Sequence, residues 1–90
     1  MKSRKTKKRK LIFDAVGIIA FAEQLKTLRH QAGITQDQLA FEAGISLSQI
    51  ARIETARINP TLSTVFAIAH ALDIPLSTLF SFTLPENKKT

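Results

Sequence analysis

The stretch "ITQDQLAFEAGISLSQIARIE" (residues 34–54) contains one helix-start signal written twice. Residues 34–40 (ITQDQLA) and 45–51 (ISLSQIA) both read apolar, hydroxyl, two variable residues, Gln, apolar. The hydroxyl of Thr35 or Ser46 can cap the free amide three residues on, and Gln38 or Gln49 can reach back to the cap residue's own amide. Ile34 with Leu39, and Ile45 with Ile50, have the spacing of a hydrophobic staple. Gly33 and Gly44 stand just before the two starts, where a preceding helix needs a left-handed residue to end on. One helix therefore stops at about Ala32, a second runs from about Gln36 to Ala43, and a third starts at Leu47. Two short helices joined by a three-residue turn containing Gly make a helix-turn-helix unit.

Working outward, Ile18, Phe21, Ala22, Leu25, Leu28 and Ala32 recur at steps of three and four, which is one apolar stripe of a first helix. Its start is left open, because Leu11 to Ile19 is apolar nearly all round. After the third helix, Asn59 and Pro60 break the chain and Thr61 is placed to cap a fourth. That helix carries Leu62, Val65, Phe66, Ile68, Ala69 and Leu72 and ends near Asp73. Pro75 opens a short fifth helix through Phe80, since proline is tolerated in a first helical turn. Phe80, Phe82 and Leu84 then alternate, as in an extended segment that covers the core or meets a partner. The expectation is an all-α, five-helix bundle.

Ninety residues hold one domain. With no cysteine, disulfides, thiolate metal sites and zinc fingers are excluded. No apolar run approaches the roughly 20 residues that span a bilayer. The net charge of +6 is concentrated at one end: residues 1–10 hold seven of the 13 basic residues and no acid, while residues 11–85 net −2. The organisation expected is a disordered cationic arm (1–10), a folded domain (11–82) and a polar tail (83–90). Such an arm attracts a polyanion, either nucleic acid or an anionic membrane surface; a solubilising tail is the bland alternative. The arm, the apolar run and Ala20-Phe21-Ala22 also have the layout of a secretory signal peptide. That reading interrupts its apolar region with Asp14 and removes Ile18, Phe21 and Ala22 from the first helix's stripe. A cytoplasmic location is expected instead.

The second helix is expected to turn Leu39, Ala40 and Ala43 inward, and the third Ile50 and Ile53, with Leu47 one turn earlier. The opposite face of the third helix shows Ser46, Ser48, Gln49 and Arg52. These groups suit base edges in a major groove: Arg for guanine, Gln for adenine, Ser for either. A plain solvated face is the alternative. The Gly turn, the twin caps and the basic arm weigh against it.

Over about two thirds of its length, from "LKTLRHQAGITQDQLAFEAGISLSQIARIETARINPTLSTVFAIAHALDIPLSTLF", the chain resembles the lambda-repressor-like, or Cro/Xre-type, helix-turn-helix family. Gln36, Leu39, Ala40, Gly44, Ile50, Ile53, Glu54 and Pro60 stand in the family's register. The resemblance implies a five-helix bundle that binds double-stranded operator DNA, usually as a homodimer, with the third helix in the major groove. It places Leu47, Ser48, Gln49 and Arg52 against bases. Gln36 would hold a phosphate at the start of the second helix, where the helix dipole favours anions. Ser46, Thr55, Arg57, Asn59 and Thr61 fall where the family grips the backbone. Arg29 and Glu54 match a structural salt bridge.

The sequence departs from the pattern in four places. Leu47 stands where relatives often carry a polar base-reading side chain; it either packs on a thymine methyl or is buried. Gln49 is claimed as both cap partner and base contact. Ala56 replaces the glycine usual after Glu-x. Arg52 and Arg57 are few cations for a DNA face, which puts weight on the arm and on a second protomer. An enzyme is not expected: His30 and His70 have no partner base, nucleophile or metal-spaced ligand, and no phosphate-binding motif or cofactor site is present. A second function class is an antitoxin-like protein, whose helix-turn-helix domain binds an operator while a terminal segment, either the run Leu11 to Ala22 or the tail with Phe82 and Leu84, binds a partner protein. Membrane-surface binding is disfavoured by Asp14 inside the apolar run.

Overall fold

The computed structural model describes residues 12–84. Five helices follow in order: α1 (Ala15–Ala32), α2 (Gln36–Ala43), α3 (Leu47–Glu54), α4 (Leu62–Leu72) and α5 (Leu76–Leu79). There is no strand among the described residues. The cationic arm expected over residues 1–10 lies outside them.

Each boundary has a local cause. Asp14 opens α1, its Oδ1 accepting from the Gly17 amide at 2.9 Å, which fixes the start that periodicity left open. In α2 the full reciprocal cap forms: Thr35 Oγ1 accepts from the Gln38 amide at 3.0 Å, and Gln38 Oε1 accepts from the Thr35 amide at 2.8 Å. In α3 only half of it forms. Ser46 Oγ accepts from the Gln49 amide at 3.0 Å, but the return bond from the Gln49 side chain is absent among the described residues. The echo in the sequence overstated the symmetry of the two starts, and the side-chain amide of Gln49 is left uncommitted. Thr61 caps α4 as expected. Pro75 sits at the cap of α5 rather than inside its first turn.

The core gathers Leu25 of α1, Leu39 and Ala40 of α2, Ile50 and Ile53 of α3, Ile68 of α4 and Leu79 of α5. α2 packs against both α3 and α4, and α1 crosses behind α3, α4 and α5. Burying six large aliphatic side chains, each contributing about 1.5–3 kcal/mol, is the main force holding helices too short to stand alone. Ala20-Phe21-Ala22 lies in the middle of α1, with Phe21 and Ala22 in the core. α5 and the residue that closes it lie over α1: the Phe21 and Phe80 ring centroids lie 5.5 Å apart, and Gln24 Nε2 donates to the Thr78 carbonyl at 3.0 Å.

Several apolar residues of the helices are not buried. Leu47, Leu62 and Phe66 are exposed, Ala32 is exposed at the end of its helix, and Ala43 is half-buried. Leu62 and Phe66, four residues apart, form a second row on α4, displaced around the helix from the buried row of Val65, Ile68, Ala69 and Leu72. Leu47 occupies the first position of α3 and stays 45% exposed there.

Candidate nucleic-acid interface

α3 is the element on which the site depends, and one buried carboxylate fixes it. Glu54, only 2% exposed, closes the last turn of α3. Arg29 of α1 grips it with two bonds, Nε to Oε2 at 2.7 Å and Nη2 to Oε1 at 3.0 Å. Gln36 of α2 adds a third, Nε2 to Oε1 at 2.9 Å. Arg29 Nη1 also donates to the Ile34 carbonyl at 3.0 Å, tying down the turn between α1 and α2. Burial alone pushes the Glu54 carboxyl up. The bonds from Arg29 and Gln36, with the charge of Arg29, overcome that and hold it below its ordinary value. The same bond to Glu54 raises the Arg29 guanidinium.

With its inner side so anchored, α3 presents Ser48 and Arg52, four residues apart and both exposed, along one line. Leu47 lies beside them, 45% exposed. Gln49 is half-buried on the other flank. Ser46 spends an acceptor on its cap and keeps its O–H free to donate.

The expected backbone-gripping residues are less uniform. Gln36 was expected to hold a phosphate, and its amide is engaged by Glu54; one N–H of that amide remains free. Thr55 Oγ1 donates to the Ala51 carbonyl at 2.8 Å. Thr61 Oγ1 accepts from the Thr64 amide at 3.2 Å and donates to Thr64 Oγ1 at 3.1 Å. Both hydroxyl protons are therefore committed within the fold. Arg57 and Asn59 are exposed in the loop after α3.

The charges sort themselves around this face. Arg29 is neutralised by Glu54, and Lys26 pairs with Glu23 at 3.2 Å. Among the described residues, Arg52 and Arg57 are the cations without an ion pair. Sequence reasoning placed both of them, but it missed the Gln36–Glu54 bond. Nothing in the local pattern couples a residue at the start of one helix to the end of the next.

The helix-turn-helix family model matches residues 25–79, which takes in α2, the Gly44 turn and α3 together with most of the bundle. The chain belongs to the helix-turn-helix family. Among its relatives is the immunity repressor protein of Bacillus phage phi105, 44% identical over 57 residues, which are 63% of this chain and 40% of that one. Another is the antitoxin HipB of Escherichia coli, 36% identical over 56 residues, which are 62% of this chain and 64% of that one. The restriction-modification controller protein C.AhdI of Aeromonas hydrophila has the same fold, with a TM-score of 0.68 and 33% identity over 70% of this chain and 96% of that one. The chain thus spans well under two thirds of the phage repressor's length. The five-helix, lambda-repressor-like architecture expected from the sequence is the one observed. No helix among the described residues is long and apolar enough to cross a membrane.

Proposed function

We propose that this helix-turn-helix domain makes the protein a sequence-specific transcriptional regulator that sets α3 in the major groove of double-stranded DNA. The observation that carries the reading is the pair Ser48 and Arg52, exposed on one line of a helix whose opposite side is clamped by Arg29, Gln36 and Glu54. Leu47, Ser48, Gln49 and Arg52 face bases. Ser46, Gln36, Arg57 and Asn59 meet phosphates through free N–H or O–H groups, and Thr55 and Thr61 do so only by giving up an internal bond. Residues 1–10 add phosphate contacts from outside the folded domain, which we take as residues 11–82, and the protein acts in the cytoplasm.

The active form is a homodimer. Two unpaired cations per body are few for a charged duplex, and paired protomers read paired half-sites. The similarity to an antitoxin supports a second reading, in which a terminal segment also binds a partner protein.

Selection of bound duplexes from a random pool tests the proposal, because half-site spacing also reports the oligomer. Arg52→Ala should cost about 1–3 kcal/mol and relax preference at one base pair. A loss spread evenly over operator variants would instead make Arg52 a phosphate contact. Failure to enrich any sequence would overturn the reading.

A further inference from the structure

Leu47 is out of place on the outer face of α3. The other large apolar residues of that helix, Ile50 and Ile53, are at most 1% exposed, whereas Leu47 is 45% exposed. Its neighbours Ser46 and Ser48 are exposed and polar, and the half-buried Ala51 stands one turn further along on the same flank. The face therefore carries two parallel rows at four-residue spacing: an apolar row of Leu47 and Ala51, and a polar row of Ser48 and Arg52. Burial of Leu47 in the bundle, the structural alternative that the sequence left open, is not what the fold does with it.

A leucine can neither donate nor accept a hydrogen bond, so it reads a base only by apolar contact. The apolar group that a base pair offers in the major groove is the 5-methyl of thymine. We propose that Leu47 is a specificity-determining residue whose partner is a 5-methylpyrimidine, thymine in unmodified DNA. This rests on the reading of α3 as the helix in the groove. Leu47 and Arg52 are five residues apart, about 7.5 Å along the helix axis. A separation of that size keeps the thymine in the same half-site as the guanine that Arg52 would read. The N-terminal end of a recognition helix is the part that meets base edges, which favours the first-turn position of Leu47.

Uracil keeps every hydrogen-bonding group of thymine and lacks only the methyl. The test is to replace each thymine of the selected operator singly by deoxyuridine and to measure the affinity of the full chain by fluorescence anisotropy. One replacement per half-site should weaken binding about fourfold, the loss expected for one buried methyl. It should lie in the same half-site as the position relaxed by Arg52→Ala. Leu47→Ala should abolish the thymine–uracil difference at that position and leave every other position unchanged. Its thermal midpoint should stay at the wild-type value, since Leu47 is exposed and alanine suits a helix. If wild type and Leu47→Ala respond alike to uracil at every position, the inference is overturned while the regulator reading stands. If no duplex is enriched in the first place, the regulator reading itself fails.

Discussion

Glu54 holds three helices with one carboxylate, and its removal has a calculable direction. Its partners Arg29 and Gln36 come from α1 and α2, and Arg29 is itself only 8% exposed. Glu54→Gln would leave a guanidinium buried without its counter-charge, at a cost of about 3–5 kcal/mol. Replacing both Arg29 and Glu54 by leucine should recover a large part of that, because the buried charge disappears along with its partner. Urea denaturation of the single and double variants measures both, and a double variant no better than Glu54→Gln would refute the argument. The pH dependence has a definite sign as well. The Glu54 carboxyl is held below its ordinary value of 4.5 in the folded protein. Its contribution is therefore complete above that value and is lost as pH falls through the depressed folded value. The wild type should lose stability over that acid window, and Glu54→Gln should lack that component.

At the scale of elements, four helices end with the same device. A residue in the left-handed region is followed by one whose amide donates to the carbonyl five residues back: Ile34 to Arg29, Ile45 to Ala40, Arg57 to Arg52 and Ile74 to Ala69. The left-handed residues are Gly33, Gly44, Ala56 (φ 60°) and Asp73 (φ 57°). Two of the four are glycines, and those two ends were legible in the sequence to the residue. Asp73 was placed only approximately, since aspartate tolerates this conformation without announcing it. Ala56 was visible as a missing glycine, but nothing in its identity said that the turn would form regardless. Ala56→Gly relieves the Cβ crowding of that conformation and should stabilise the domain by about 1 kcal/mol, or about 4–8 °C in melting temperature. A lower midpoint would show that the Ala56 side chain contributes more by packing than it costs in strain. The apolar stripes were less legible than the ends. Spacing puts Leu62, Phe66 and Leu47 on apolar positions, but only the arrangement of neighbouring helices decides which apolar rows are covered.

At the scale of the whole molecule, the apolar surplus and the charge distribution each lead to a prediction. Ile12, Phe13, Val16 and Ile19 are between 48% and 92% exposed just before and at the start of α1, and in the homodimer proposed above they are our candidates for the contact between protomers. Val16→Lys with Ile19→Lys should give a monomer in analytical ultracentrifugation with no loss of helical structure. A variant as dimeric as the wild type would move the contact elsewhere. Charge poses the sharper problem. Residues 11–85 net −2, so the folded part gives little overall attraction to a polyanion, and its local attraction rests on Arg52 and Arg57. The seven cations of residues 1–10 reverse that balance. Each phosphate neutralised contributes about −0.9 to the slope of log affinity against log salt. If all seven engage phosphates, deleting residues 1–10 should reduce the slope by up to about six per protomer. Base preference should survive, because phosphate contacts carry no sequence information directly. Titrations at several salt concentrations on a selected operator and on an unrelated duplex distinguish the cases. Parallel loss on both duplexes with a flatter slope means that the arm supplies charge alone. An unchanged slope would mean that the folded domain holds the duplex without it, and two unpaired arginines per protomer would then have to suffice.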